Sequence, residues 1–255
     1  MIDYETKKDN FIQVFTHDLK NPLTAVIGSI DIIREGFLGP VNAEQEEYLQ
    51  SAIDSCHEVV MMIDNLLDVK KFETGKIKMA IHPYNAYELI SKITTKFASS
   101  AKHDGIEFSA DLDTGTAEIA VDSNVFTRIL GNLLGNALKF TPEEGHISVS
   151  SSSLSREDLP GQKIPLYAPM QPGFLVQDRF VKVVISDNGN GLQADELESI
   201  FDGHTQCTPK TGRQRGAAGL GLAYCKRAVD RLHGMIWAES ENGLGNRFTI
   251  LLPCC

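Results

Sequence analysis

Apolar residues in the first part of the chain recur every seven positions. Ile12, Leu19, Val26 and Ile33 form one row, and Thr16, Leu23 and Ile30 form a second beside it. After a break at Gly36-Phe37-Leu38-Gly39-Pro40 the repeat returns, with Leu49, Cys56 and Ile63 in one row and Ile53, Val60 and Leu67 in the other. A seven-residue period keeps both rows on one stripe of a helix, the a/d seam of a coiled coil or bundle. Glycine supplies the C-terminal turn and proline blocks re-entry, so the two helices fold back as a hairpin. Asn42 is placed to cap the second helix, and Gln45 three positions later completes a capping box. One stripe per helix leaves apolar surface wet in a lone hairpin. Pairing two hairpins into a four-helix bundle buries it, so a homodimer is expected. The competing solution packs the stripe on the chain's own second half.

Composition bounds the function. The 255 residues carry a net charge of −10, which argues against a nucleic-acid partner, because phosphates demand a basic face. No apolar run approaches the ~20 residues that span a bilayer, and no signal-peptide pattern opens the chain, so a cytoplasmic protein is expected. The cysteines (Cys56, Cys207, Cys225, Cys254 and Cys255) show no C-x-x-C spacing. They read as reduced thiols rather than a disulfide frame or zinc site.

The heptad fades after Leu67. Residues 1–72 read as the helical hairpin, 73–80 as a linker with a first strand nearby, and 81–255 as a second domain. Helices are predicted over 87–101, 123–139 and 219–232, with a short one ending at 199–201. Strands are predicted over 106–110, 117–121, 146–150, 180–186, 235–240 and 247–252. This mixture implies a two-layer α/β sandwich. Residues 151–179 are rich in Ser and Pro and read as a mobile insertion.

Four stretches carry chemistry. In His17-Asp18-Leu19-Lys20-Asn21-Pro22, positions 17 and 21 share a helix face, and Pro22 removes the N–H that would bond the carbonyl of residue 18. The backbone is expected to kink beside an exposed histidine. Asn132, Asn136 and Lys139 are spaced four and three and so share a face of the 123–139 helix. An amide oxygen suits Mg²⁺, and a lysine suits phosphate. Asp187-Asn188-Gly189-Asn190-Gly191 follows the apolar strand 181–185. Its carboxylate would accept from an exocyclic amine such as adenine N6, and Gly189 and Gly191 would let backbone approach a flat base. Gly219-Leu220-Gly221 opens a helix whose N–H groups would face phosphate. Lys210, Arg213 and Arg215 precede it in a stretch that reads as a mobile lid. No G-K-[ST] Walker loop or Rossmann unit is present.

With these residues in view, the chain resembles the catalytic core of the sensor histidine kinases of two-component systems over nearly its whole length. His17–Pro22 resembles the histidine box, and Asn132-Leu133-Leu134-Gly135-Asn136-Ala137-Leu138-Lys139-Phe140-Thr141 the asparagine box. Asp187–Gly191 and Gly219–Gly221 resemble the glycine boxes, and Gly243-Leu244-Gly245-Asn246-Arg247-Phe248 the last glycine turn. The resemblance implies a dimerisation and phosphotransfer hairpin joined to a Bergerat-type ATP-binding domain. His17 would accept the γ-phosphoryl group of ATP, Asp18 would orient the ring, and Asn21 would position water for dephosphorylation of a partner. Asn136 would hold Mg²⁺, Lys139 the phosphates and Asp187 the adenine, with Phe140 closing the asparagine box. The phosphoryl group would pass to an aspartate on the receiver domain of a response regulator. Sixteen residues precede His17, so sensory input is expected from an upstream region, which would anchor a longer protein in the membrane, or from a separate protein.

Two departures stand out. Phe201-Asp202-Gly203-His204 lacks the family's second phenylalanine, and Ala217-Ala218 replaces the common Gly-Thr. Two alternatives compete with this reading. Other ATPases of the same fold place a water-activating glutamate four residues before the magnesium asparagine, where this chain has Asn132. The other rival is a catalytically silent scaffold that binds a response regulator.

Overall fold

The computed structural model describes residues 2–75, 77–115, 117–168, 174–203, 218–240 and 245–255, without the side chains of residues 2–15, 17, 175 and 218. The chain divides into two compact units, residues 1–77 and 78–255.

The first unit is the expected antiparallel hairpin of α1 (Ile2–Arg34) and α2 (Ala43–Glu73). α1 continues through Pro22 without a break. Gly36 and Gly39 make the turn at φ values of 79° and 125°, which side chains resist. Asn42 accepts from the Gln45 N–H at 2.8 Å while the Gln45 side chain accepts from the Asn42 N–H at 2.9 Å, so the capping box forms in both directions. Lys20 of α1 pairs with Asp64 of α2 across the hairpin. Residues 68–73, expected to fall outside the helical repeat, stay helical because Val69 and Phe72 extend the buried stripe. Thr74 and Gly75, the latter at φ 67°, end the helix. The seam is only half satisfied within one chain: Ile53 is 3% exposed, but Leu19, Val26 and Ile33 are 37%, 46% and 38% exposed.

The second unit is a two-layer α/β structure. β1 (His82–Asn85) pairs antiparallel with β3 (Glu118–Val121) as a small separate sheet. The main sheet has five strands in the order β2-β4-β5-β7-β6. These are β2 (Glu107–Leu112), β4 (His146–Ser155), β5 (Arg179–Asp187), β6 (Met235–Ser240) and β7 (Asn246–Pro253). Only β2 and β4 run parallel. α3 (Ala86–His103), α4 (Ser123–Phe140) and α6 (Ala218–Arg231) cover one face, and α5 (Glu196–Ser199) is a single turn. α4 carries the clearest amphipathic stripe, with Phe126, Ile129, Leu130, Leu133, Leu134 and Ala137 buried. They pack in a core with Ile147, Val149, Val183, Ile185 and Ile250 of the sheet, each at most 1% exposed.

The stretch 151–179 departs from its expected form as a mobile insertion. Residues 151–155 extend β4 and pair with β5 as far as Ser155–Arg179. Beyond them, a 3₁₀ turn over Arg156–Gly161 and the residues up to 168 fold over the outer face of the sheet. Leu159, Ala168 and Phe174 bury Phe180, Met235, Trp237 and Leu251 there, and the Phe174 and Phe180 rings stack 4.5 Å apart. Strands alternate faces, so these four sheet residues would otherwise be wet. The Tyr167 hydroxyl donates to the Ala238 carbonyl and accepts from the Ala238 N–H at 3.3 Å, on the sheet's last strand. Among the described residues Cys56, Cys225, Cys254 and Cys255 are free thiols.

Candidate nucleotide site and phosphoacceptor helix

The asparagine face begins with a well-anchored helix. Asp122 caps α4 by accepting from Asn124 and Val125 N–H groups at 3.0 and 3.2 Å, and its other oxygen accepts from Ala80 N–H at 2.9 Å. That cap sets where Asn132, Asn136 and Lys139 fall, and all three are half-buried. α6 crosses α4 at Gly221: a Cβ there would stand 3.3 Å from Asn132 Oδ1. Gly219 is buried and Leu220 half-buried beside it. The crossing is fixed further along by Arg128 over the Tyr224 ring at 4.3 Å and by Cys225, whose Sγ donates to the Ile129 carbonyl at 3.6 Å. Full burial pushes the Cys225 thiol up to about 12, so it is a packing residue without nucleophilic character. Asn132 Nδ2 and Thr141 Oγ1 on this face, and Trp237 Nε1 on the sheet's opposite face, are buried without a hydrogen bond of ordinary geometry, and the Asn132 amide faces the Cys225 thiol.

The second wall is the C-terminal end of β5, the central strand. Asp187 is 8% exposed, and its Oδ1 accepts from Gly189 N–H at 3.0 Å and from Asn246 Nδ2 at 3.2 Å. Burial pushes this carboxyl up, and the Gly189 and Asn246 donors pull it back down. Glycine is demanded at two places here. A Cβ on Gly189 would lie 2.2 Å from the Phe140 carbonyl oxygen, at the end of α4. Gly245 sits at φ +91° against the Asp187 backbone. The half-buried Gly191 ends the loop.

Sequence reasoning quoted Asn246 within a glycine turn but assigned it no role, and it missed Ser240. Asn246 Oδ1 and Ser240 Oγ both accept from Leu192 N–H, at 3.1 and 2.7 Å, and Ser240 Oγ donates to the Gly245 carbonyl at 2.8 Å. The ends of β6 and β7 thus hold the 188–192 loop against β5. The available signal was register, since Asn246 pairs with Asp187 across two strands.

The structure therefore brings together Asn132 with Gly221, Phe140 with Gly189, and Asp187 with Asn246. Lys210, Arg213 and Arg215 lie outside the described residues, as do Gly243 and Leu244. In the hairpin unit, position 17 lies on α1 with its side chain outside the description. Asp18 and Asn21 beside it are exposed, and Lys20 is tied to Asp64.

A helical hairpin thus precedes an α/β layer that carries a glycine-framed carboxylate at the end of its central strand. Residues 7–75 match the His Kinase A (phospho-acceptor) domain, and residues 121–254 match the histidine kinase-, DNA gyrase B- and HSP90-like ATPase family. The chain belongs to the sensor histidine kinases of two-component systems.

A circadian input-output histidine kinase, CikA of Synechococcus elongatus, is 29% identical across 96% of this chain and 30% of its own length. An uncharacterised sensor-like histidine kinase of Rhizobium meliloti is 25% identical across 96% of this chain and 43% of its own length. The autoinducer 2 sensor kinase/phosphatase LuxQ of Vibrio parahaemolyticus is 26% identical, also across 96% of this chain and 26% of its own length. The chain thus spans less than half of each of these relatives. In fold it is similar to full-length ShkA in complex with AMPPNP, with a TM-score of 0.69 at 22% identity over 96% of this chain and 46% of that one. It is also similar to the Acinetobacter baumannii histidine kinase AdeS, with a TM-score of 0.58 at 17% identity over 93% of this chain and 97% of that one.

Proposed function

We propose that this chain is the catalytic core of an ATP-dependent protein-histidine kinase that phosphorylates His17 and passes the phosphoryl group to an aspartate of a response regulator. The observation that carries this reading is the buried Asp187 carboxylate, fixed by Gly189 and Asn246 at the mouth of β5. A buried, oriented acceptor with glycines where a side chain would intrude fits the exocyclic amine and flat face of adenine. Asn132, Asn136 and Lys139 share one half-buried helix face, which suits a polar ligand.

Within this reading each residue has a defined task. Asp187 would accept from the base, Lys139 would neutralise phosphate, and the amide oxygen of Asn136 would help to hold Mg²⁺. Magnesium would supply charge neutralisation at the phosphates, and Gly219–Gly221 would offer N–H groups at the α6 N-terminus. Lys210, Arg213 and Arg215 are assigned to the lid over the phosphates on sequence alone. His17 acts as the nucleophile through a neutral ring nitrogen, since an ordinary imidazole has a pKa near ~6.5. Asp18 takes or orients the ring's other proton. Positioning and electrostatics then carry the transfer, as in other phosphoryl transfers. Asn21, one turn past His17, orients water in the reverse duty of dephosphorylating the regulator.

The exposed seam of Leu19, Val26 and Ile33 supports a homodimer through a four-helix bundle. Dependence on ATP and a receiver-domain partner assigns the chain's work to the cytoplasm. Sensory input would come from the parts of a longer protein or from a separate partner.

Incubation with γ-labelled ATP and Mg²⁺ tests the proposal. Acid-labile, alkali-stable label that disappears in both His17→Ala and Asp187→Asn is the expected result. Label surviving in His17→Ala would remove His17 as the acceptor. Nucleotide binding with no label in the wild type would favour a scaffold or phosphatase.

A further inference from the structure

Asn246 opens β7 directly behind Gly245 and faces Asp187 across the β5–β7 ladder. It is 8% exposed, and its amide bonds the end of β5 and the loop that follows it. Nδ2 donates to Asp187 Oδ1 at 3.2 Å and to the Asn190 carbonyl at 3.1 Å, while its own Oδ1 accepts from Leu192 N–H at 3.1 Å. Gly189 N–H reaches the same Asp187 oxygen at 3.0 Å. Two donors on one carboxylate oxygen fix the rotation of the group and hence the direction of Oδ2.

We propose that Asn246 is a specificity-determining, positioning residue of the nucleotide site, aiming the Asp187 carboxylate so that it accepts from an exocyclic base amine and refuses a keto group in its place. The inference rests on Asp187 being the group that recognises the base.

The physical case has two parts. An ionised carboxylate only accepts, so it pairs with an amine and repels a carbonyl oxygen. That discrimination is strong only while the carboxylate is both ionised and held in place, because a buried polar group facing the wrong partner is left unpaired. A protonated carboxyl would present its own O–H to a keto group and lose the distinction, and a freely rotating carboxylate would hold the amine less firmly. Burial pushes Asp187 toward the protonated form, and the Asn246 donor opposes that push. The same side chain therefore supplies orientation and favours the charge. It need not touch the nucleotide to do so.

The test compares ADP, which carries a base amine, with IDP, which carries a keto oxygen there, by titration calorimetry on the full chain. Asn246→Leu removes the amide at similar volume. Asn246→Ala removes the amide and leaves nothing at position 246 that could donate to Asp187. The ADP-over-IDP affinity ratio is expected to fall by about tenfold or more in both variants, the effect of one hydrogen bond to a charged group. Thermal melts establish that each variant is folded, and the smaller alanine covers the case in which leucine unfolds the loop. A ratio unchanged in a folded Asn246→Ala would overturn the proposal and reduce Asn246 to a spacer between strand and loop. A ratio unchanged in Asp187→Asn would instead overturn Asp187 as the base-recognition group, and the proposal with it.

Discussion

A Cβ built on Gly245 would stand 1.8 Å from the carbonyl oxygen of Asp187. The two residues cannot keep their places if position 245 carries any side chain, and the φ of +91° there adds backbone strain. Gly245→Ala is therefore expected to displace the end of β5, at a cost of about 3 kcal/mol or more from strain and overpacking together. Calorimetry should show ADP binding weakened far beyond what the lost stability alone would produce in a still-folded chain.

The opposite outcome is expected within α4. Gly131 has open space where its Cβ would sit, and glycine in a helix interior is less favourable than alanine by roughly 1 kcal/mol. Gly131→Ala should stabilise the ATPase unit by about 0.5–1 kcal/mol in urea titrations, with nucleotide affinity unchanged.

Asp187 should trade stability for binding. Its carboxyl is raised in the folded state. A raised carboxyl contributes stability that is fully present below the unfolded value near ~3.9 and is lost as pH rises through the folded value. At neutral pH the ionised group is therefore a burden on the fold. Asp187→Asn should melt higher than wild type at pH 7 and lose that advantage toward pH 4, while ADP binding disappears at both. A variant that melts lower at pH 7 would contradict this balance.

Phe174 should matter to the fold and not to the nucleotide. It is 1% exposed and stacked on Phe180, on the sheet face opposite the helices. Phe174→Ala should cost about 3–5 kcal/mol, read as a lower denaturation midpoint, with ADP affinity nearly unchanged below the transition.

Val26, 46% exposed on the hairpin seam, probes assembly. Val26→Glu buries a charge wherever two seams meet, which an apolar interface resists strongly. Sedimentation equilibrium should show the dimer dissociation constant raised at least about tenfold, equivalent to about 1.4 kcal/mol. An unchanged constant would remove the seam from the dimer interface.

The helices were legible because their signals are local. The heptad rows, the Asn42–Gln45 capping box and the Asp122 cap each sit within a few residues of what they control. The close packing at the candidate site was legible in Gly189 and Asp187, since backbone approach and a buried acceptor demand particular residue types. Asn246 was not, because its work depends on which strand lies beside β5, and neighbours in a sheet are set by tertiary order rather than by sequence distance. The covering segment escaped for a related reason. Ser150 to Ser153 is a run of four serines without the apolar and β-branched residues that announce a strand, yet β4 continues through it because β5 lies alongside. Leu159 and Phe174 then look like stray apolar residues in a polar loop until the sheet face they cover is known. The heptad fades after Leu67, although Val69 and Phe72 still fall on the buried stripe.

The Tyr167 hydroxyl occupies both the N–H and the carbonyl of Ala238, midway along the outermost strand. An outermost strand with free backbone groups is a template for any other strand that meets it. Two chains joined through their hairpins would hold a pair of such sheets at an effective concentration approaching the millimolar range, where even weak strand-to-strand pairing would become permanent. A single phenol, reaching back from the segment that also seals the sheet's far face, blocks that template at the middle of β6.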